Sequence, residues 1–318
     1  IPKLMFLGLD FSKIIKWNCR RFDVPFGLDA EIFFAATQKV AKLKTFKRLI
    51  QLYEGNVFER GCIQGFRRHN SGPVVGYSHA VVFPINLKMR LSAKEKIQKP
   101  EPDMFICTGA ENKKFMELCG NRNASIIHAG CSLRSIPKEN GEMPVKNSAQ
   151  PILIALDGVW STVSILDWFF EHAKIFKKHK FVIRAHPNVP LQALLNQTLR
   201  NLPDNFELSK GDLETNILSC RCVIYRQTSV GIQALISGIP VIHLRVDAPL
   251  PCDPIPSLST LKWTVSTPVE LLDALQEIWQ LSREEKNIAS LAAQQYASDY
   301  FSSPNKKKIQ AFINESAL

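Results

Sequence analysis

This sequence lacks the features that mark membrane-spanning and disulfide-linked proteins. No apolar stretch approaches the ~20 residues that a transmembrane helix requires, and no secretory signal pattern is present. The eight cysteines include no Cys-x-x-Cys pair, and several lie in apolar segments, where cysteine behaves as a small hydrophobic residue. We therefore expect reduced thiols and a cytoplasmic location, with peripheral contact at the inner face of an anionic membrane left open.

Metal-binding and nucleic-acid-binding signatures are also missing. The sequence has no Asp-x-Asp pair of the kind that holds a metal ion on a nucleotide diphosphate, and Asp247 and Asp253 are too widely spaced to replace it. It has neither a zinc-finger spacing nor an aromatic-basic RNA-binding motif. We expect no metal, no other cofactor and no nucleic acid partner.

Positive charge is what the chain has in excess. Its 318 residues include 40 Lys and Arg against 29 Asp and Glu, which gives a formal net charge of +11. Such an excess favours anionic partners such as nucleotides, acidic glycans and anionic lipid surfaces. Two short basic runs, at 177–180 and 306–308, are more typical of solvated helix ends than of binding motifs.

Short apolar runs alternate with longer amphipathic segments, which is typical of strands and helices in a doubly wound parallel sheet. A polar stretch with proline and glycine at 132–150 interrupts this pattern and indicates a linker. We predict an α/β protein with two Rossmann-like domains facing a cleft, the first over 1–135 and the second over 150–300. The segment 301–318 is predicted to pack back on the first domain. Because the first residue is Ile1, we allow for a truncated start of the first domain.

Ligands of parallel α/β sheets bind at the carboxyl ends of the strands, so residues that follow the predicted strands are candidates. The first strand of the second domain ends at Asp157 and Gly158, where glycine permits a tight turn that presents N–H groups to an anion. An ordinary turn is the alternative. The second strand ends in Arg-Ala-His-Pro, and both Arg184 and His186 suit a phosphate oxygen. Alternation along the strand favours His186 as the one that faces the cleft.

The segment 225–242 carries the strongest local signal, because it predicts a strand, a polar turn, a helix and a Gly-Ile-Pro turn into the next strand. Gln227, Thr228 and Ser229 lie in the polar turn. Thr228 or Ser229 is expected at the start of the helix, where free N–H groups favour a phosphate. Glu214 lies in the first turn of a short helix just upstream, placed to hold a ribose hydroxyl or to support the helix end.

This order of strand with His-Pro, short acidic helix, and strand with Thr-Ser, helix and Gly-x-Pro resembles the donor-binding domain of GT-B glycosyltransferases. It is similar to the bacterial surface-carbohydrate group of capsule and O-antigen Kdo transferases, sialyltransferases and polyglycerol-phosphate transferases. The resemblance implies that His186, Thr228 and Ser229 contact the donor phosphate. The helix in those families often carries a ribose-binding glutamate, and here Gln233 departs from that pattern.

The first domain offers two candidate catalytic residues. Glu54 lies in the segment 53–60, which resembles the Tyr-Glu-Asn…Trp-Glu-(Lys/Arg) segment of bacterial surface-carbohydrate proteins, with Gly55 and Phe58 as departures. A carboxylate there suits a general base or acid acting on an acceptor hydroxyl, and capping of the next helix is the alternative. His79 ends the next strand, where the same resemblance has Gly-x-x-His, and is expected to contact the donor sugar or the acceptor.

Together these patterns predict a glycosyltransferase that moves a sugar from a nucleotide-sugar donor to a surface polysaccharide or lipid-linked glycan. A metal-free site with His and Ser at one phosphate favours a CMP-sugar such as CMP-Kdo or CMP-sialic acid, with a UDP- or GDP-sugar as the alternative. A retaining route through a covalent adduct needs a carboxylate nucleophile, for which Asp157 and Glu54 are the candidates. Two further hypotheses are a UDP-sugar epimerase of the same fold and a non-catalytic nucleotide-binding module of a polysaccharide assembly complex.

Overall fold

The computed structural model describes residues 5–6, 9–10, 12–83, 87–119, 126–133, 150–198, 200–246 and 252–313. The strands are β1 (Met5–Phe6), β2 (Leu9–Asp10), β3 (Leu49–Leu52), β4 (Val74–Ser78), β5 (Met104–Cys107), β6 (Ile126–Ala129), β7 (Ile152–Ala155), β8 (Phe181–Arg184), β9 (Phe206–Leu208), β10 (Val223–Tyr225), β11 (Val241–Leu244) and β12 (Lys262–Val265). The helices are α1 (Ser12–Leu43), α2 (Val57–Arg67), α3 (Ala93–Gln98), α4 (Ala110–Leu118), α5 (Val163–Glu171), α6 (Leu191–Leu195), α7 (Leu213–Ser219), α8 (Val230–Ile236), α9 (Pro268–Gln280), α10 (Arg283–Tyr300) and α11 (Lys306–Ile313).

Two parallel sheets form the architecture. The N-terminal sheet has the strand order β3-β4-β5-β6, and the C-terminal sheet has the order β12-β11-β10-β7-β8-β9. All neighbouring strands in both sheets run parallel. Parallel neighbours need crossover connections, and helices supply most of them here. The prediction of two Rossmann-like α/β domains is therefore confirmed, while most of the predicted linker, 134–149, lies outside the described residues.

Both faces of the C-terminal sheet are covered, which explains why its central strands are continuous apolar runs. Side chains of β7 alternate between the two faces. Ile152 and Ile154 pack with α5, α6 and α9, whereas Leu153 and Ala155 pack with α7, α8 and α10. Burial on both faces leaves only the strand ends open to a ligand.

The two C-terminal helices cross from the second domain to the first. α10 packs on α8 and on α4, and Tyr300 at its end is fully buried. The backbone carbonyl of Tyr300 accepts a hydrogen bond from Thr108 Oγ1, at 2.9 Å, at the carboxyl end of β5. α11 then lies against the N-terminal sheet, where Ala311 and Phe312 pack on β4 and β5. α10 and α11 therefore make contacts that connect the two domains.

α1 packs against α2 through two glycines. A Cβ atom at Gly61 or Gly65 would lie 2.4 Å from the carbonyl oxygen of Ala30 or Phe34, so the helices approach too closely for a side chain at either position. A spacing of four residues puts both glycines on one face of α2. Although α1 has 32 residues, neither it nor another helix in the described part of the chain is long and apolar enough to cross a membrane.

Candidate functional site

The carboxyl ends of β3 and β4 bring two predicted catalytic residues together. Leu52 of β3 pairs with Tyr77 of β4, and each strand is followed within two residues by a candidate, Glu54 or His79. Glu54 Oε1 lies 3.1 Å from His79 Nε2. The Glu54 side chain is 33% exposed and the His79 side chain 21%, and His79 Nδ1 is buried. Both side chains are therefore half-buried, Glu54 is the more exposed of the two, and His79 contacts its carboxylate.

The turn that carries Glu54 is fixed by the start of α2. The buried carboxylate of Glu59 accepts hydrogen bonds from the backbone N–H of Glu54 at 2.9 Å and of Asn56 at 2.8 Å. The Asn56 side chain donates to the same carboxylate at 3.0 Å, within a capping box at the start of α2. The interpretation of Glu54 as the helix cap is therefore wrong, because Asn56 is the N-cap residue of α2 and Glu59 completes its capping box.

Gly55 is required by this turn. It has a φ angle of +82°, which favours glycine, and a Cβ atom there would lie 2.4 Å from the carbonyl oxygen of Lys88. We expect Gly55→Ala to lower the free energy of unfolding by about 1–3 kcal/mol, because it combines backbone strain with a clash. Urea denaturation measures this change. Gly27→Ala is the control, since no described atom lies within 4 Å of a Cβ at Gly27. Equal urea midpoints for the two variants would contradict the requirement for glycine at position 55.

At the carboxyl edge of the C-terminal sheet, the His186 ring lies directly on the turn after β7. A Cβ atom at Gly158 would lie 2.8 Å from His186 Nδ1, so only glycine leaves room for the ring. His186 Nδ1 accepts a hydrogen bond from the Asn188 backbone N–H at 3.2 Å. That bond favours the tautomer with its proton on Nε2, which makes Nε2 a donor for an anionic oxygen. The structure thus brings His186 and Gly158 together as one surface.

Asp157, in the same turn, is engaged inside the protein. Its carboxylate pairs with Arg226 Nε at 2.6 Å and accepts the Gln227 backbone N–H at 3.0 Å. The side chains of Asp157 and Arg226 are only 1% and 4% exposed. Arg226 Nη2 also reaches Ser161 Oγ at 3.3 Å. This geometry differs from the expectation of a catalytic carboxylate open to the cleft, because both oxygens are already engaged. It favours a role for Asp157 in holding the turns after β7 and β10 together.

Thr228 and Ser229 lie at the start of α8, beside the turn held by Asp157. Thr228 is buried, and its Oγ1 accepts a weak hydrogen bond from the Val230 backbone N–H at 3.4 Å. Among the described residues, the Ser229 hydroxyl makes no capping bond to the helix. It lies 3.5 Å from the amide nitrogen of Gln233, the residue that replaces the expected glutamate. Phosphate binding by Gln227, Thr228 and Ser229 stays a prediction.

The Arg184 guanidinium is directed toward the loop after β9. Its Nη1 donates to Ser209 Oγ at 3.2 Å and to the Gly211 carbonyl at 2.7 Å. Arg184 therefore joins the end of β8 to the β9–α7 loop, as expected if only His186 of this strand end faces the cleft. A contact between Arg184 and a donor phosphate stays a prediction.

The short acidic helix begins where it was predicted. Asp212 caps α7 by accepting the Thr215 backbone N–H at 2.7 Å, and this bond lowers the pKa of Asp212. Glu214, in the first turn, is exposed. Its carboxylate is thus on the surface of α7, and ribose binding by Glu214 stays a prediction.

A buried polar network beside Arg226 had not been predicted. Tyr225 donates its hydroxyl to Asp253 at 2.9 Å, Lys262 pairs with Asp253 at 2.5 Å, and His243 Nδ1 lies 3.8 Å from the same carboxylate. Burial lowers the pKa of His243 and raises the pKa of Tyr225. The available signal was His243, a polar side chain inside the apolar strand β11, since a buried polar group needs a partner.

In the described ranges, no group of three or more His, Cys, Asp or Glu side chains is arranged to hold a metal ion. Asp247, one of the two aspartates considered for a metal motif, lies outside the described residues. Asp253 is committed to Lys262 and Tyr225. A metal-free reaction stays a prediction.

No protein-family model matches the chain, and no curated protein matches its sequence. Its fold is similar to a putative UDP-N-acetylglucosamine 2-epimerase from Listeria monocytogenes, with a TM-score of 0.55, 13% identity, and coverage of 89% of this chain and 78% of that chain. Its fold is also similar to S. aureus MnaA, with a TM-score of 0.53, 10% identity, and coverage of 88% of this chain and 84% of that chain. The glycosyltransferase SnogD from Streptomyces nogalater has a similar fold too, with a TM-score of 0.52, 13% identity, and coverage of 92% of this chain and 80% of that chain. At these identities the similarity shows the fold alone. The chain therefore has a two-domain α/β fold of the GT-B type, shared with glycosyltransferases and a sugar-nucleotide epimerase.

Proposed function

We propose that this protein is a glycosyltransferase that uses a nucleotide-sugar donor. The contact between Glu54 and His79 carries the proposal, because it places a partly exposed carboxylate at the carboxyl edge of the N-terminal sheet, where ligands of such sheets bind. Such a carboxylate takes the proton of an acceptor hydroxyl as that oxygen attacks the anomeric carbon. The bond between the anomeric carbon and the donor phosphate oxygen breaks, and the nucleotide leaves.

The C-terminal domain supplies the donor side of this reaction. His186 Nε2 and the hydroxyl of Ser229 act as hydrogen-bond donors toward the phosphate of the leaving nucleotide. The Asn188 backbone N–H donates to His186 Nδ1 and so orients the ring, and the Ser229 hydroxyl lies 3.5 Å from the side-chain nitrogen of Gln233. Fixed donors stabilise the negative charge that develops as the bond breaks. No step in this scheme depends on Asp157, whose oxygens are engaged by Arg226 and Gln227.

The donor nucleotide and the acceptor belong to the proposal as well. The sequence resemblance favours a CMP-sugar, carrying Kdo or sialic acid, and a surface polysaccharide or lipid-linked glycan as acceptor. Two structures of similar fold, Anabaena HepE and S. aureus MnaA, were solved with UDP, so a UDP-sugar is the competing donor. A UDP-sugar epimerase is the second candidate function, favoured by the fold similarity to the Listeria protein. It differs by turning over without an acceptor.

A thermal-shift panel of CMP, CDP, UDP, GDP and ADP tests the donor site. One nucleotide is expected to raise Tm, because a ligand at about 100 times its Kd stabilises the folded state by about 2.7 kcal/mol. His186→Ala should abolish the shift, because it removes the Nε2 donor. His69→Ala is the matched control, since His69 is an exposed histidine at the end of α2. A panel without any shift would overturn the proposal, and consumption of a nucleotide-sugar without acceptor would favour the epimerase.

A further inference from the structure

The connection between β4 and β5 carries an unusual concentration of positive charge. Residues 88–99, here called the basic strap, contain five basic residues and one acidic residue. The basic residues are Lys88, Arg90, Lys94, Lys96 and Lys99. All are exposed except Lys96, which is half-buried. The strap begins nine residues after His79, so it belongs to the connection that leaves the candidate catalytic pair.

Acidic groups in and next to the strap are paired with arginines of α2 or buried. Glu95 caps α3 and pairs with Arg60 at 2.7 Å. Asp103 pairs with Arg67 at 2.7 Å and accepts the backbone N–H of Val74 at 2.8 Å. Glu101 is fully buried. Glu95 and Asp103 are thus paired with arginines of α2 rather than with the exposed lysines of the strap.

α2 holds the strap along its length. Arg60 donates to the Lys88 carbonyl at 2.7 Å, Gln64 donates to the Gln98 carbonyl at 2.6 Å, and Arg67 donates to the Lys99 carbonyl. These three α2 residues share one helix face, because they are four and three residues apart. They span about 10 Å at 1.5 Å per residue. A surface held in this way loses little conformational entropy when it binds a ligand.

One end of the strap lies beside the candidate base. The Lys88 carbonyl is the atom that leaves no room for a Cβ at Gly55, the residue directly after Glu54. Lys88 Nζ also donates to Asn56 Oδ1 at 3.1 Å. The other end, at Lys99, lies near the C-terminal end of α2. The basic strap therefore runs along α2, from beside Glu54 to the C-terminal end of the helix.

We propose that the basic strap binds a glycan acceptor bearing phosphate or carboxylate groups, with the reactive hydroxyl at Glu54 and the anionic groups along α2. This inference rests on the proposed function and names the chemistry of the acceptor. A basic strap that leads to a single carboxylate fits an extended oligosaccharide, because the anionic groups of such a glycan repeat along the length of its chain.

The test uses the full chain and fluorescein-labelled heparin oligosaccharide, with a maltooligosaccharide of the same length as the neutral probe. Fluorescence anisotropy should show binding of the anionic probe only, weakened by salt. The double variant Lys94→Gln/Lys99→Gln should weaken that binding about 2- to 30-fold, because it removes two exposed charge pairs with the ligand. Lys306→Gln/Lys307→Gln removes the same charge from α11 and should have no effect. Equal losses in both double variants, or equal binding of the neutral probe, would overturn the inference.

Two further measurements separate the possible failures. Phosphatidylglycerol vesicles replace the oligosaccharide in one arm, and loss of vesicle binding alone in the strap variant would replace the glycan with a membrane surface. The nucleotide shift is measured on the same strap variant. If the strap variant keeps the nucleotide-induced shift in Tm and binds heparin as the wild-type protein does, the inference about the strap is wrong and the proposed function is unaffected. Strap-dependent heparin binding without any nucleotide shift in the wild-type protein defeats the proposed function instead.

Discussion

Glu54→Gln is expected to lower kcat by about 10²- to 10⁴-fold, the range that a general base contributes. Glutamine has the shape of glutamate and keeps a hydrogen bond to His79, but its amide cannot accept the proton of an acceptor hydroxyl. Nucleotide affinity should stay at the wild-type value, because the donor groups lie in the other domain. Steady-state kinetics with the donor found in the nucleotide panel measures both quantities.

The control for this variant is Glu117→Gln, which neutralises an exposed carboxylate that pairs with Lys113 on α4. It should leave kcat unchanged. A Glu54→Gln enzyme with wild-type kcat would remove Glu54 from the reaction.

The ion pair between Asp157 and Arg226 is expected to give the largest stability effect. Asp157→Leu or Arg226→Met alone should lower the free energy of unfolding by about 3–5 kcal/mol, because each leaves a buried charge without its partner. The double variant Asp157→Leu/Arg226→Met removes both charges and should recover most of that loss. Urea denaturation of the two single variants and the double variant forms the required cycle.

Nucleotide binding by the same double variant shows whether the pair also positions the donor site. Asp157 accepts the Gln227 backbone N–H, so its loss frees the turn that carries Thr228 and Ser229. We expect a stable double variant whose nucleotide shift is lost. If a stable double variant binds the nucleotide with wild-type affinity, the ion pair contributes to folding alone and does not position the donor site.

The alternation of apolar and amphipathic segments along the chain, together with local turn residues, made much of the fold predictable. The buried run of β7 and the Gly-Ile-Pro turn after α8 are local signals, and both mark elements that the structure contains. Two elements had no such signal. β12 lies at an edge of its sheet and is only partly buried, so it shows no apolar run. α3 has no buried residue in the described structure, and therefore no amphipathic period to reveal it.

The sequence by itself determined that two parallel α/β domains form and that Glu54, His79, Gly158, His186 and Ser229 follow strands or begin a helix at the sheet edges. Tertiary structure decided which partner each polar side chain takes. Glu54 meets His79 rather than the helix that follows it. Asp157 meets Arg226, 69 residues away, rather than the cleft. The physical reason is that hydrogen bonds and ion pairs depend on distances of a few ångströms. Only strand register and the crossover connections fix such distances between residues that are remote in sequence.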